Sequence, residues 1–143
     1  MSKKKIVIIS TVALVIVIGI VLWFITAKNE ASGYRYSDEN ITLGYVPDGM
    51  ELVSKDIGIK TKVLYFSDGE RYFNITINSL DSYYNFDTEN GISENIEING
   101  MDAFYISTDL VYTLVWSDNI YAYILSGNLP EKTMLLISEN IDK

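Results

Sequence analysis

The chain has 143 residues, 19 acidic against 11 basic side chains, a formal net charge of −8, and neither cysteine nor histidine. Without cysteine it forms no disulfide, thiolate metal site or thiol nucleophile, and without histidine it forms no Ser-His-Asp triad and offers no imidazole to a metal. The acidic balance argues against nucleic acid, anionic lipid or anionic wall polymer as a charge-driven partner.

The first element is apolar. Lys3, Lys4 and Lys5 precede an uncharged run of 20 residues, Ile6–Ile25. As a helix this run spans about 30 Å, the thickness of a bilayer's hydrocarbon core. Basic residues stay on the cytoplasmic side, so residues beyond Lys28 are expected outside the cell membrane. Trp23 and Phe24 fall near the outer interface, and no ionised group within the run marks an ion path. A cleaved signal peptide is the competing reading. Its apolar core is usually about 7–15 residues, shorter than this one, and Ile25-Thr26-Ala27 is an imperfect small-x-small site. The organisation read from this is a cytoplasmic stub over 1–5, a single-pass anchor over 6–27 in contact with membrane lipid, a linker over 28–40 and an outer domain over 41–143. Ser2 and the absent cysteine exclude myristoyl and thioester lipid anchors. Gly19 has no small partner four residues away, so the span reads as a plain anchor. Three of the eleven cations lie in the stub, which leaves eight against 19 acids outside it, a net of −11.

In the outer part, Asn29–Gly33 reads as polar linker, and Ile41–Val46 as a strand ending at the turn Pro47-Asp48-Gly49. Glu51–Ile57 is a second strand. Ile59–Phe66 and Arg71–Asn78 flank Asp68-Gly69, the pair favoured by a two-residue hairpin loop, which predicts Leu64 opposite Phe73 and Lys62 opposite Ile75. Leu64, Phe66, Phe73, Ile75 and Ile77 then share one face; Tyr65, Tyr72, Asn74 and Thr76 share the other. Leu80–Gly91 lacks periodicity and reads as a loop. Asn99-Gly100 predicts a hairpin between Ser93–Ile98 and Met101–Ser107, with Ile98 opposite Met101 and Ile96 opposite Ala103. A third hairpin, Leu110–Trp116 with Ile120–Ser126, turns at Asp118-Asn119. Both of its faces are apolar enough for a central position. From Leu129-Pro130-Glu131 the period changes: Met134, Ile137 and Ile141 recur at helical spacing.

Few residues suggest chemistry. The acids lie mainly in turns and at strand ends, and no pair is placed by spacing for glycoside hydrolysis. Ser67–Glu70 and Asp87–Asn90 are rich in oxygen but lack the alternating acids of a calcium loop. Glu97 and Asp102 are expected to face each other across the Asn99-Gly100 hairpin. Among 11 tyrosines, Tyr83 and Tyr84, with Phe86, fall in the predicted loop, where they could contact a glycan or protein partner or fold back on the sheet. Asn40-Ile41-Thr42 and Asn74-Ile75-Thr76 match the glycosylation triplet, the second in mid-strand. A pilin is rejected, since no acidic residue interrupts the apolar run and no processing site precedes a Phe.

The order of motifs is nonetheless distinctive: Leu43–Met50 around Pro47-Asp48-Gly49, Tyr72–Ile77, Ile98–Tyr105 around Asn99-Gly100, Tyr112–Trp116, then Tyr121–Leu129 and the closing helix. Over Ile41–Ile141 this resembles the domain of unknown function numbered 4367. The resemblance implies an extracytoplasmic domain of Gram-positive membrane proteins and carries no catalytic residues. Some members belong to anti-sigma-like envelope proteins, an arrangement from which this chain departs by lacking a cytoplasmic domain.

The reading is therefore an α+β protein. After an N-terminal transmembrane helix, a mostly antiparallel sheet packs against a C-terminal helix. The expected role is a non-enzymatic accessory or sensory module that binds another envelope protein, with no cofactor, metal or nucleic acid. The alternative is a wall- or glycan-binding module using Tyr83, Tyr84 and Phe86.

Overall fold

Alternation of apolar and polar residues over 61–79 builds one hairpin of the domain, and the later hairpins extend its sheet. The computed structural model describes residues 32–39, 41–82 and 92–142. The anchor read over 6–27, the glycosylation candidate Asn40 and the aromatics Tyr83, Tyr84 and Phe86 lie outside the described residues. No helix among the described residues is long and apolar enough to cross a membrane.

In chain order the described strands are β1 (Gly33–Ser37), β2 (Thr42–Pro47), β3 (Glu51–Ile57), β4 (Thr61–Ser67), β5 (Tyr72–Ser79), β6 (Ile92–Ile98), β7 (Met101–Ser107), β8 (Tyr112–Ser117), β9 (Tyr121–Gly127) and β10 (Ile141–Asp142), with helix α1 (Glu131–Glu139) before the last. Their pairings are antiparallel and form two sheets. One has the order β3-β4-β5-β9-β8-β7-β6 and the other β1-β2-β10. The β8–β9 hairpin is central, as its two apolar faces predict.

Leu64, Phe66, Phe73, Ile75 and Ile77 do share one buried face of the large sheet, with Leu114, Trp116, Tyr123 and Leu125 beside them. Ile41, Leu43 and Val46 around β2, then Leu129, Met134 and Ile137 around α1, join them in one continuous core. The Phe66 and Phe73 rings stack at 4.8 Å, and Trp116 stacks on Tyr123 at 5.0 Å. Helix α1 packs against β2, β6, β8 and β9. Pro130 supplies the fixed φ at its start, and the Pro130 carbonyl accepts from the N–H groups of Thr133 and Met134. This is the mostly antiparallel sheet with one C-terminal helix that the sequence predicts.

Several details differ. The Asn99-Gly100 hairpin has the expected register, Ile98 with Met101 and Ile96 with Ala103; Asn99 and Gly100 take φ of 51° and 78°, as a type I′ turn requires. The Asp68-Gly69 hairpin is displaced by two residues: Leu64 pairs with Ile75 and Lys62 with Ile77, not with Phe73 and Ile75. The cause is the Asp68 carboxylate, which accepts from the N–H groups of Glu70 and Arg71 at 3.1 and 2.7 Å and holds a four-residue loop. An even displacement leaves each side chain on its predicted face. Asp118 does the same for the β8–β9 loop, accepting from Ile120 and Tyr121, so that Ser117 pairs with Ala122.

Gly33–Ser37, assigned to the linker over 28–40, forms β1. Tyr36 packs edge-on to Phe66 at 5.3 Å, and Tyr34 donates a 2.8 Å hydrogen bond to the Met50 carbonyl. The helix stops at Glu139, because Asn140 folds its amide back onto the Leu136 carbonyl and gives its own carbonyl to the Gly44 N–H. Ile141 therefore lies in β10 against Leu43 of β2, not on the helix. Leu80–Ser82, the start of the predicted loop Leu80–Gly91, makes one 3₁₀ turn.

Candidate interaction surface

The core, α1 and β2 occupy one face of the large sheet. The opposite face is built by register. Val63, Thr76, Ile124, Val115 and Phe104 lie in one row across five strands, β4 to β7. The adjacent row is Tyr65, Asn74, Ser126, Thr113 and Ile106. Thr113 and Ser126 share a hydroxyl hydrogen bond of 3.0 Å, and the Tyr65 and Tyr72 rings lie 6.0 Å apart. Neither row contains a charge. Most of these side chains are half-buried, but Phe104 is 55 % exposed. Charged groups stand at the margins, Asp56 beside Val63 on β3 and Glu97 beside Asp102 on β6 and β7.

The two lateral edges differ. β3 carries an irregularity between Leu52 and Ser54, and its Lys55 pairs with Asp38 at 2.9 Å. β6 pairs with β7 in unbroken register over its seven residues. A shallow cleft of about 290 Å³ lies at this edge, lined by Asn95, Ile96, Asp102, Ala103 and Phe104. A second open depression, beside β3, is lined by Glu51, Val53, Tyr65 and the Asp68 loop.

The carboxylates best held in the domain serve its own loops. The Arg71 N–H, the Arg71 guanidinium and the Glu70 N–H together hold the Asp68 carboxyl down to about 2. A hydrogen bond from the Lys60 ammonium lowers Asp81, which Ser79 also contacts. Asp38 accepts from Lys55, from the Tyr36 hydroxyl and from the Ile41 N–H; burial, then the bond to Asp38, raises the Tyr36 phenol. The oxygen-rich stretch Ser67–Glu70 is thus a loop closed by Arg71. Among the described residues no group of three or more acidic side chains is arranged to hold a metal ion.

Glu97 and Asp102 do face each other, as predicted, and both are exposed. Asn74 lies in mid-strand, half-buried between Tyr65 and Ser126. The aromatics singled out as a contact site, Tyr83, Tyr84 and Phe86, fall outside the described residues. The uncharged row ending at Phe104 and the β6 edge are surfaces that sequence reasoning missed, since both depend on strand order.

The architecture is that of a two-sheet antiparallel α+β domain closed by one helix. A family model described as "Domain of unknown function (DUF4367)" matches residues 28–141, and the chain belongs to that family. No curated protein and no solved structure matches it.

Proposed function

We propose that the protein is a single-pass membrane protein whose acidic outer domain is a non-catalytic accessory or sensory module for another cell-envelope protein. The observation that carries this reading is the pairing of Lys3–Lys5 with the uncharged 20-residue run Ile6–Ile25. That run is long enough to span a bilayer, and the lysines orient it with the domain outside. The uncharged rows on the large sheet, with Phe104 exposed, are consistent with protein contact.

Orientation is tested by cysteine labelling, which the absence of native cysteine makes clean. Exposed Asp109, replaced as Asp109→Cys, is expected to react with a membrane-impermeant maleimide on intact cells. Reaction only after lysis would overturn the topology. Partnership is tested by cross-linking the full-length protein in native membranes, where one recurrent stoichiometric membrane protein is expected. Glycan fragments recovered without any protein partner would favour wall binding. In that event Ala at both Tyr83 and Tyr84 would abolish wall retention.

A further inference from the structure

We propose that the outer edge of β6 receives an extended, lysine- or arginine-bearing segment of a partner protein, added to the large sheet as a further strand. The proposal deepens the accessory reading and rests on it. The two-residue Asn99-Gly100 turn makes Ile98 and Met101 a hydrogen-bonded pair. Alternation then directs the N–H and C=O groups of Ile96 and Glu94 toward β7. Those of Ser93, Asn95 and Glu97 point to the open side. Three donors and three acceptors are thereby aligned along a strand that no other described strand covers on that side.

Protective devices are unevenly distributed. Proteins blunt sheet edges with bulges, charged side chains (lysine above all), proline or covering segments. β3 has an irregularity and a paired lysine; β6 has unbroken register and neither lysine nor proline. What β6 carries instead is negative charge. Residues 92–142 hold eight carboxylates and a single cation, Lys132, whereas residues 32–82 hold eight carboxylates and five cations. Ion pairs Lys55–Asp38, Lys60–Asp81 and Arg71–Asp68 all belong to the latter half. Glu94 projects to the helix-covered side of β6, while Glu97 and Asp102 project to the other. A second copy docking here would bring these acids close to their own counterparts, which disfavours self-pairing. A strand with basic side chains would meet carboxylates on both faces. Backbone bonds would supply affinity, and the cleft bounded by Asn95, Ile96 and Phe104 would take an alternate side chain of the incoming strand.

The probe is a capped heptapeptide alternating lysine with valine and threonine, added to the full-length protein in detergent micelles. Amide exchange at Ser93, Asn95 and Glu97 is expected to slow by about tenfold or more, and the effect should weaken as salt is raised. The same peptide with glutamate in place of lysine should leave exchange unchanged. Asn95→Pro removes an N–H outside the existing ladder, so it should keep the wild-type melting temperature and lose the protection. Glu97→Lys, at an exposed position, serves as a second variant and should weaken the basic peptide. Unchanged exchange with the lysine peptide, or equal slowing by the glutamate peptide, overturns the proposal. In native membranes, a partner that cross-links equally to Asn95→Pro overturns the edge while leaving the accessory reading intact. Absence of any stoichiometric membrane partner overturns the accessory reading itself.

Discussion

Replacing Phe73 by alanine tests how the large sheet is held against its core. Phe73 is fully buried, lies flat on Phe66 at an interplanar angle of 6°, and pairs across β5–β9 with Gly127. Gly127 is part of the same arrangement. A Cβ there would lie 2.9 Å from the Phe73 Cα and Cβ and would strike the Tyr72 carbonyl, so position 127 directly opposite holds no side chain that could fill the space Phe73→Ala vacates. Truncating a buried phenylalanine costs about 3–5 kcal/mol, of which ring stacking accounts for about 0.5–1.5 kcal/mol. With a urea dependence of about 1.5 kcal/mol per molar for a domain of this size, the unfolding midpoint should fall by about 2–3 M. Urea titration of the full-length protein in micelles, followed by far-ultraviolet circular dichroism, reads the shift. Phe104→Ala is the control. It removes a ring of the same size from the opposite face, where it is 55 % exposed, and should cost about 1 kcal/mol or less. Equal losses at the two positions would refute the assignment of the faces.

Two further outcomes follow from the loops. Asn99→Ala should lower stability by about 1–2 kcal/mol, because alanine tolerates the positive φ poorly and the amide bond to the Glu139 carbonyl is lost. Asn99→Gly keeps the turn and should cost less than about half of that; thermal melts giving equal losses would assign the effect to the link with α1 instead. The acid response of Asp68 has a defined sign: its folded-state value is depressed from 3.8 to about 2. Its contribution is therefore complete above the unfolded value and is lost as pH falls from about 4 toward 2. The drop in melting temperature between about pH 5 and pH 2.5 should be smaller in Asp68→Asn than in the wild type.

Local chemistry made parts of the fold legible. Asn99-Gly100 fixed its hairpin register because a two-residue turn allows only one. At Asp68-Gly69 the same logic failed, since a carboxylate able to cap two backbone N–H groups favours a longer loop. The faces survived because the error was even. β1 escaped notice because four of its five residues are exposed and its partner β2 supplies the apolar side. β10 was read as helix because Ile141 continues the helical period, whereas the break comes from Asn140, whose contact with Gly44 lies far away in the sequence. Strand order is a long-range property, so the uncharged row through Phe104 and the edge of β6 had no local signal. The aromatic cluster Tyr83, Tyr84 and Phe86 lies outside the described residues.

The small sheet has a consequence for assembly. Its middle strand, β2, is flanked by the domain's first strand on one side and its last on the other. β2 therefore acquires its second neighbour only after nearly the whole domain sequence has become available to the folding chain. Closure of that sheet is a late, non-local step of the kind that slows β-rich domains. Until it occurs, Thr42 and Gly44 present a free edge that a chaperone or a neighbouring nascent chain could pair with. Loss of residues 141–142 would make that transient edge permanent.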